Sequence, residues 1–273
     1  MSDVIAKGLY AIVGRSKWLR LCVQYIPLAV VFLAWQSVVD LKLVDRTFLP
    51  SFTDTLRALW EITRSGELMI NLFVSTYRAL GGLLVGAILG VLIGMAMATS
   101  KAADQFLGPL VATTYSLPKT SLIALFILWF GIGDLTNMIT VALACLLPVI
   151  VSTYHGVKAV PSVLLWSARA MNTGPTTMKW RILLPASIPS ILTGVRIALG
   201  FCFVLTISAE MIAAKVGIGK LIFFYGENGA YAYMFAGLLV VIVLAYVLDR
   251  MLIALMHYLL RWHDSISAAS AHE

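Results

Sequence analysis

The sequence predicts an all-α integral membrane protein with about six transmembrane helices and both termini in the cytoplasm. Three observations carry that prediction: an apolar excess, apolar runs long enough to cross a bilayer, and basic residues gathered in alternate connectors. Apolar residues make up 60% of the 273 positions and charged residues 12%. Soluble domains sit near 45–50% apolar and about 25% charged. A spanning helix needs roughly 20 mainly apolar residues, so five to seven spans fit. The formal net charge of +7 does not call for nucleic acid here, because membrane proteins hold basic residues on the cytoplasmic side, against the lipid.

The first span is Leu21 to Val39, preceded by Lys7, Arg15, Lys17 and Arg20. It resembles a signal peptide, but its length and the lack of a small-residue cleavage site favour a retained anchor. A polar stretch follows from Asp40 to Arg78, in which Thr53 to Thr63 is amphipathic. The second span is Ala79 to Ser100. The third region, Gln105 to Gly133, is apolar apart from Lys119 and broken by Pro118. Leu135 to His155 forms the fourth span, about Ile191 to Ala209 the fifth, and Gly229 to Leu248 the sixth, with an amphipathic continuation to about Trp262. With the N-terminus inside, cytoplasmic segments hold eleven basic and five acidic residues, and outer segments seven and eight. The reverse orientation inverts that bias.

Gly82, Gly86, Gly90 and Gly94 lie four apart in the second span. A four-residue step drifts only about 40° around a helix, so they form one stripe where another backbone can approach closely. Generic membrane-helix glycine is the alternative, and four in register favour a tight seam. Cys22, Cys145 and Cys202 fall inside apolar runs at no ligand spacing, as small fillers of helix interfaces.

Catalytic and metal motifs are missing, and no cofactor is expected. Gly219-Lys220 fails as a P-loop, with Ala214 five residues before the glycine and Leu221 in place of Ser or Thr. His155, His257, His263 and His272 have no carboxylate or cysteine at ligand spacing. Any energy source is a gradient or another subunit.

The segment "SARAMNTGPTTMKWRILLP", Ser167 to Pro185, is basic and broken by Gly and Pro. Val163 to Met171 is helix-compatible, Thr173-Gly174-Pro175 breaks it, and Pro175 suits the first turn of a second piece. Met178, Ile182 and Leu183 recur at helical spacing, with Thr177, Lys179 and Arg181 on other faces; Pro185 is expected to stop this piece before the fifth span. The expectation is an elbow at the cytoplasmic membrane surface, presenting a basic, small-residue face to a partner.

Here the chain resembles the permease subunits of type I ABC importers, which carry a cytoplasmic E-A-A-x3-G-x9-I-x-L-P loop. Aligning on Ile182, Leu184 and Pro185 places the family's glycine at Asn172 and its E-A-A at Trp166, Ser167 and Ala168. "LPKTSLIALFILWFGIGD" (Leu117 to Asp134), "RILLPASIPSILTGVRIALG" (Arg181 to Gly200) and "SAEMIAAKVGIGKLI" (Ser208 to Ile222) are similar to the branch that serves nitrate, sulfonate, taurine and related solutes. The resemblance covers roughly Phe48 to Arg261. It implies the type I importer permease fold in a bacterial inner membrane, with a homodimeric channel core, two ATP-binding subunits on the cytoplasmic side and a solute-binding protein outside. It also implies a coupling loop at 156–188 built on Ala168, Arg169, Asn172, Gly174, Pro175, Lys179, Arg181, Ile182, Leu184 and Pro185. Residues 1–47 are then an N-terminal segment with the first helix, 48–262 the permease core, and 263–273 a cytoplasmic tail.

Lys119 and Arg196 lie within or near hydrocarbon depth, where a charge needs a cavity or a partner. Two cations in a pore suit an anionic solute. Against that, Arg196 is close enough to its span end to snorkel, and carbonyls freed by Pro118 can hold Lys119. Trp129 and Phe130 suit an outer gate or a membrane-interface belt equally. Glu210 reads as an outer-surface charge in preference to a gate. A gradient-driven secondary transporter is the alternative function, disfavoured because the halves do not resemble one another and no carboxylate reads as mid-span. A membrane enzyme is excluded by the missing catalytic constellation.

Overall fold

The computed structural model describes residues 17–261, with residues 17–25 and 28 described by backbone alone. Lys7, Arg15, the 263–273 tail and the Cys22 side chain therefore lie outside the described residues. The helices are α1 (Lys17–Asp40), α2 (Phe52–Arg64), α3 (Glu67–Thr99), α4 (Lys101–Ser116), α5 (Leu122–Phe130), α6 (Asp134–Lys158), α7 (Ser162–Ala170), α8 (Pro175–Met178), α9 (Leu184–Ala213), α10 (Ile218–Glu227) and α11 (Tyr231–Leu259). A 3-10 turn, Lys119–Ser121, precedes α5, and a π-turn, Lys179–Leu183, joins α8 to α9.

Among the described residues, four stretches are long and apolar enough to cross a membrane: Glu67–Thr99, Asp134–Lys158, Pro175–Ala213 and Tyr231–Leu259. Together α4 and α5 make a fifth, bent by 87°. Leu117 is extended there, at φ −71° and ψ 138°, as the residue before a proline must tend to be. The predicted first span lies within α1.

At the centre of the bundle is α6, held between α3 and α9. The α3 glycine stripe faces it: a Cβ on Gly86 would meet the Ala142 carbonyl at 2.5 Å, and one on Gly90 would meet Val149 at 2.8 Å. A second seam was not read from the sequence. Gly156 of α6 faces Ser190, and Gly194 of α9 faces Ser152 and the Pro148 carbonyl. Ala79, Leu83, Val141, Cys145, Val149, Ala198 and Cys202 fill the core between the three helices. Both thiols donate to carbonyls across helices, Cys145 to Ala198 and Cys202 to Ala79. Helix α11 packs on the outside, with only Ala236 and Gly237 buried.

Two boundaries differ from the sequence reading, each for a physical reason. Helix α3 starts at Glu67, twelve residues before the expected second span, because the charge of Arg78 is neutralised inside the bundle. The amphipathic segment Thr53 to Thr63 is, as read, an amphipathic helix: α2 is capped by Ser51 Oγ, which accepts from the Asp54 amide, and buries Thr55, Ala58 and Ile62. Pro185 does not stop a helix. The chain stays helical from Pro175 to Ala213, and the Leu184 amide reaches back five residues to the Lys179 carbonyl. That widened π-turn accommodates a ring with no N–H to donate.

Candidate functional site: a basic elbow and a buried charge cluster

The spans place one chemical feature at each end of the bundle. At one end, α7 and α8 form an elbow against the ends of α3 and α6. Leu165 packs on the cluster of Met95, Val157, Val160 and Leu183, and Ala168, three residues on, is buried. The remainder of α7 is exposed. A groove of about 320 Å³ runs along the elbow between Thr99, Lys158, Arg169, Pro175 and Lys179.

The elbow's turn is set by hydrogen bonding. The Asn172 amide donates to the Arg169 carbonyl at 2.9 Å and the Thr173 amide to the Ala168 carbonyl at 3.1 Å. This pair of bonds is a Schellman motif, which requires a left-handed residue just past the helix end. Asn172 is that residue, at φ +56°. The family's glycine therefore aligns with the one left-handed position of the turn, and Asn is among the side chains that tolerate it best. Gly174 is not a substitute for it: its φ is −66° and a Cβ there would meet open space. Instead Gly174 precedes Pro175, which opens α8.

At the opposite end lies a buried charge cluster that the sequence reading missed. Arg78 is buried. Its Nη1 donates to Glu210 Oε1 at 2.8 Å and to the Val216 carbonyl, and its Nε donates to Asp134 Oδ1 at 2.7 Å. Glu210, expected at the outer surface, has 0% exposure. Its Oε2 accepts from Ser75 Oγ at 2.7 Å and from the Gly219 amide at 3.0 Å. The preceding amides of α10 are also taken by α3: Ile218 by Ser75 Oγ, and Gly217 by Asn71 Oδ1. A helix start leaves its first amides without partners, and here side chains of α3 and α9 supply them. Gly217 has φ +140°, and a Cβ there would lie 2.4 Å from the Glu210 carboxylate. A buried charge pair is tolerable only when its remaining atoms are hydrogen-bonded, and this one meets that condition.

The other singled-out residues are not brought together. Lys119 Nζ donates to the Tyr115 carbonyl at 3.0 Å and lies over the Tyr115 ring. Arg196 pairs with Asp249 of α11 through two bonds, at 2.7 and 3.1 Å. Trp129 is exposed on α5 beside Phe126 and Phe130. No hydrogen bond or ring contact joins the three. Asp249 lies inside α11, past the expected end of the sixth span at Leu248, while Glu210 lies in the last turn of α9, and each faces an arginine.

Residues 82–258 match the family described as binding-protein-dependent transport system inner membrane component. The chain belongs to that family. It is 31% identical to the taurine transport system permease protein TauC of Escherichia coli (strain K12), across 97% of this chain and 100% of that one. It is also 31% identical to the putative aliphatic sulfonates transport permease protein SsuC of Bacillus subtilis (strain 168), across 87% and 86%. Among solved structures, an inward-facing MetNI methionine ABC transporter chain shares the fold, with TM-score 0.62 over 70% of this chain and 95% of that one at 17% identity. The chain is thus a multi-pass permease component of an ABC import system, and not an enzyme.

Proposed function

We propose that this permease passes a small anionic organic solute, a sulfonate such as taurine, inward across the membrane, with ATP hydrolysed by a separate subunit docked on the elbow. The single observation that carries the reading is the near end-to-end similarity to a taurine permease, supported by an elbow that keeps the left-handed turn. In this reading the elbow end faces the cytoplasm with both termini, and a solute-binding protein delivers to the opposite end. Two copies of the chain form the pore, and two ATP-binding subunits move it through the elbows. Lys101, Lys158, Arg169, Lys179 and Arg181, placed at the elbow end, fit the cytoplasmic assignment.

The mechanism follows from the helix continuity. Because α8, the π-turn and α9 form one helical rod, displacement of the elbow is delivered directly to a central span. Proteoliposomes holding the permease with its ATP-binding subunit should take up labelled taurine only when ATP is inside and binding protein outside. Uptake that ignores ATP and collapses with a protonophore would sink the proposal.

A further inference from the structure

Two cations stand at the head of an apolar furrow on α3. At the end of the bundle opposite the elbow, a cavity of about 350 Å³ opens between the first turns of α3 and α10. Lys215, in the loop before α10, and Lys220, in its first turn, line it with Ile70 and Phe224. Among the described residues neither lysine forms an ion pair. Glu67, the carboxylate lining the same cavity, accepts from the Tyr225 hydroxyl at 2.9 Å. The α10 amides add little, since Gly217, Ile218 and Gly219 already donate to Asn71, Ser75 and Glu210. The attraction for an anion therefore comes from the two ammonium groups. Below them, Ile70, Phe73, Tyr77, Leu80 and Leu84 fall within an arc of about 80° along α3, outside the glycine seam. Phe73 is 74% exposed and Leu84 62%, and a second cavity of about 380 Å³ lies along this row. From Ile70 to Leu84 is about 21 Å at 1.5 Å per residue, deeper than the roughly 15 Å of hydrocarbon in one leaflet.

We propose that Lys215 and Lys220 bind the phosphate of an anionic phospholipid, such as phosphatidylglycerol, in the leaflet at this end, with one acyl chain lying in the α3 furrow. Basic pockets beside membrane spans hold anionic headgroups in this way. A lipid carries on one molecule both the anion and the chain that the two parts require. A soluble sulfonate fills the cavity and leaves the furrow bare. A second copy of the chain fits less well: a two-fold interface sets the patch against itself, and brings four lysines together at a cost in like-charge repulsion. The headgroup bridges α3 and the connection from α9 to α10. Val216, whose carbonyl accepts from Arg78, lines the same cavity, so the bound lipid stabilises the bundle at its charged end.

The test uses full-length permease, delipidated in detergent and titrated with phosphatidylglycerol or phosphatidylethanolamine, read by native mass spectrometry and by thermal midpoint. Two lysines facing an anionic lipid are worth roughly 30-fold in affinity, so wild type should hold one phosphatidylglycerol about that much more tightly than phosphatidylethanolamine. Lys215→Gln with Lys220→Gln should remove the preference, and with it the rise in midpoint that a bound ligand confers. Without lipid its midpoint should match wild type, since neither lysine has an ion-pair partner to lose. Arg57→Gln with Arg64→Gln, exposed cations of α2 at the same end, should keep the preference. A preference that survives the lysine variant, or is lost in the arginine variant, would overturn the proposal. Displacement of phosphatidylglycerol by equimolar inorganic phosphate or taurine would make this a soluble-anion site and overturn it too. A lipid held by the monomer but excluded from the dimer would assign the face to a second copy, with the same consequence.

Discussion

At the scale of single residues, Asn172 shows how a departure from a family pattern can keep the property the pattern encodes. The turn after α7 needs one residue at positive φ, and Asn172 supplies it at +56°. For residues other than glycine this region costs roughly 1–2 kcal/mol, and Asn visits it most readily. Asn172→Gly should therefore leave solute-coupled ATP hydrolysis at the wild-type rate. Asn172→Val sets a β-branched side chain where the left-handed conformation is most strained, and should fray the end of α7 and lower coupled hydrolysis several-fold. Equal rates in the two variants would show that the turn's geometry does not matter to coupling. Gly174→Ala is the control, since open space surrounds that position and its φ is ordinary.

At the scale of elements, apolar length and glycine spacing made the spans and the α3 stripe readable, because both are local properties of one helix. Gly86 makes the closest approach of the stripe, and Gly86→Leu should separate α3 from α6 and abolish accumulation of folded protein in membranes. Gly86→Ala should lower stability by about 1–3 kcal/mol, the usual cost of overpacking, seen as a reduced thermal midpoint in detergent. An unchanged midpoint would mean the seam is loose. The α6–α9 seam was not readable, since Gly156 and Gly194 each stand alone in sequence and meet Ser190 and Ser152 only in three dimensions. The same holds for the charge cluster. Arg78 and Glu210 are 132 residues apart, and each alone looks like the polar edge of a span. Only their pairing carries α3 back to Glu67. The continuity through Pro185 was hidden for a different reason: proline reads as a stop until a π-turn removes the need for its missing donor.

At the scale of the whole molecule, the two ends of the bundle have separate tasks. Arg78, Glu210, Ser75 and Asp134 tie α3, α6, α9 and the start of α10 at one end, while the elbow presents an exposed face at the other. Helix α9 alone has 30 residues, about 45 Å at 1.5 Å per residue, so the two features share no side-chain partner. Effects of substitutions that far apart add. Removing one member of a buried, hydrogen-bonded ion pair costs about 3–5 kcal/mol, so Glu210→Gln should lower the thermal midpoint sharply. Below that midpoint it should leave the affinity for the ATP-binding subunit unchanged. Arg169→Glu combined with Arg181→Glu on the elbow should do the reverse. The combined variant should then show the midpoint of Glu210→Gln and the affinity of the elbow variant, each within error of its parent. An affinity that also falls in Glu210→Gln alone would mean that the charge cluster is not a fixed brace, and that its state is transmitted along α9 to the docking surface.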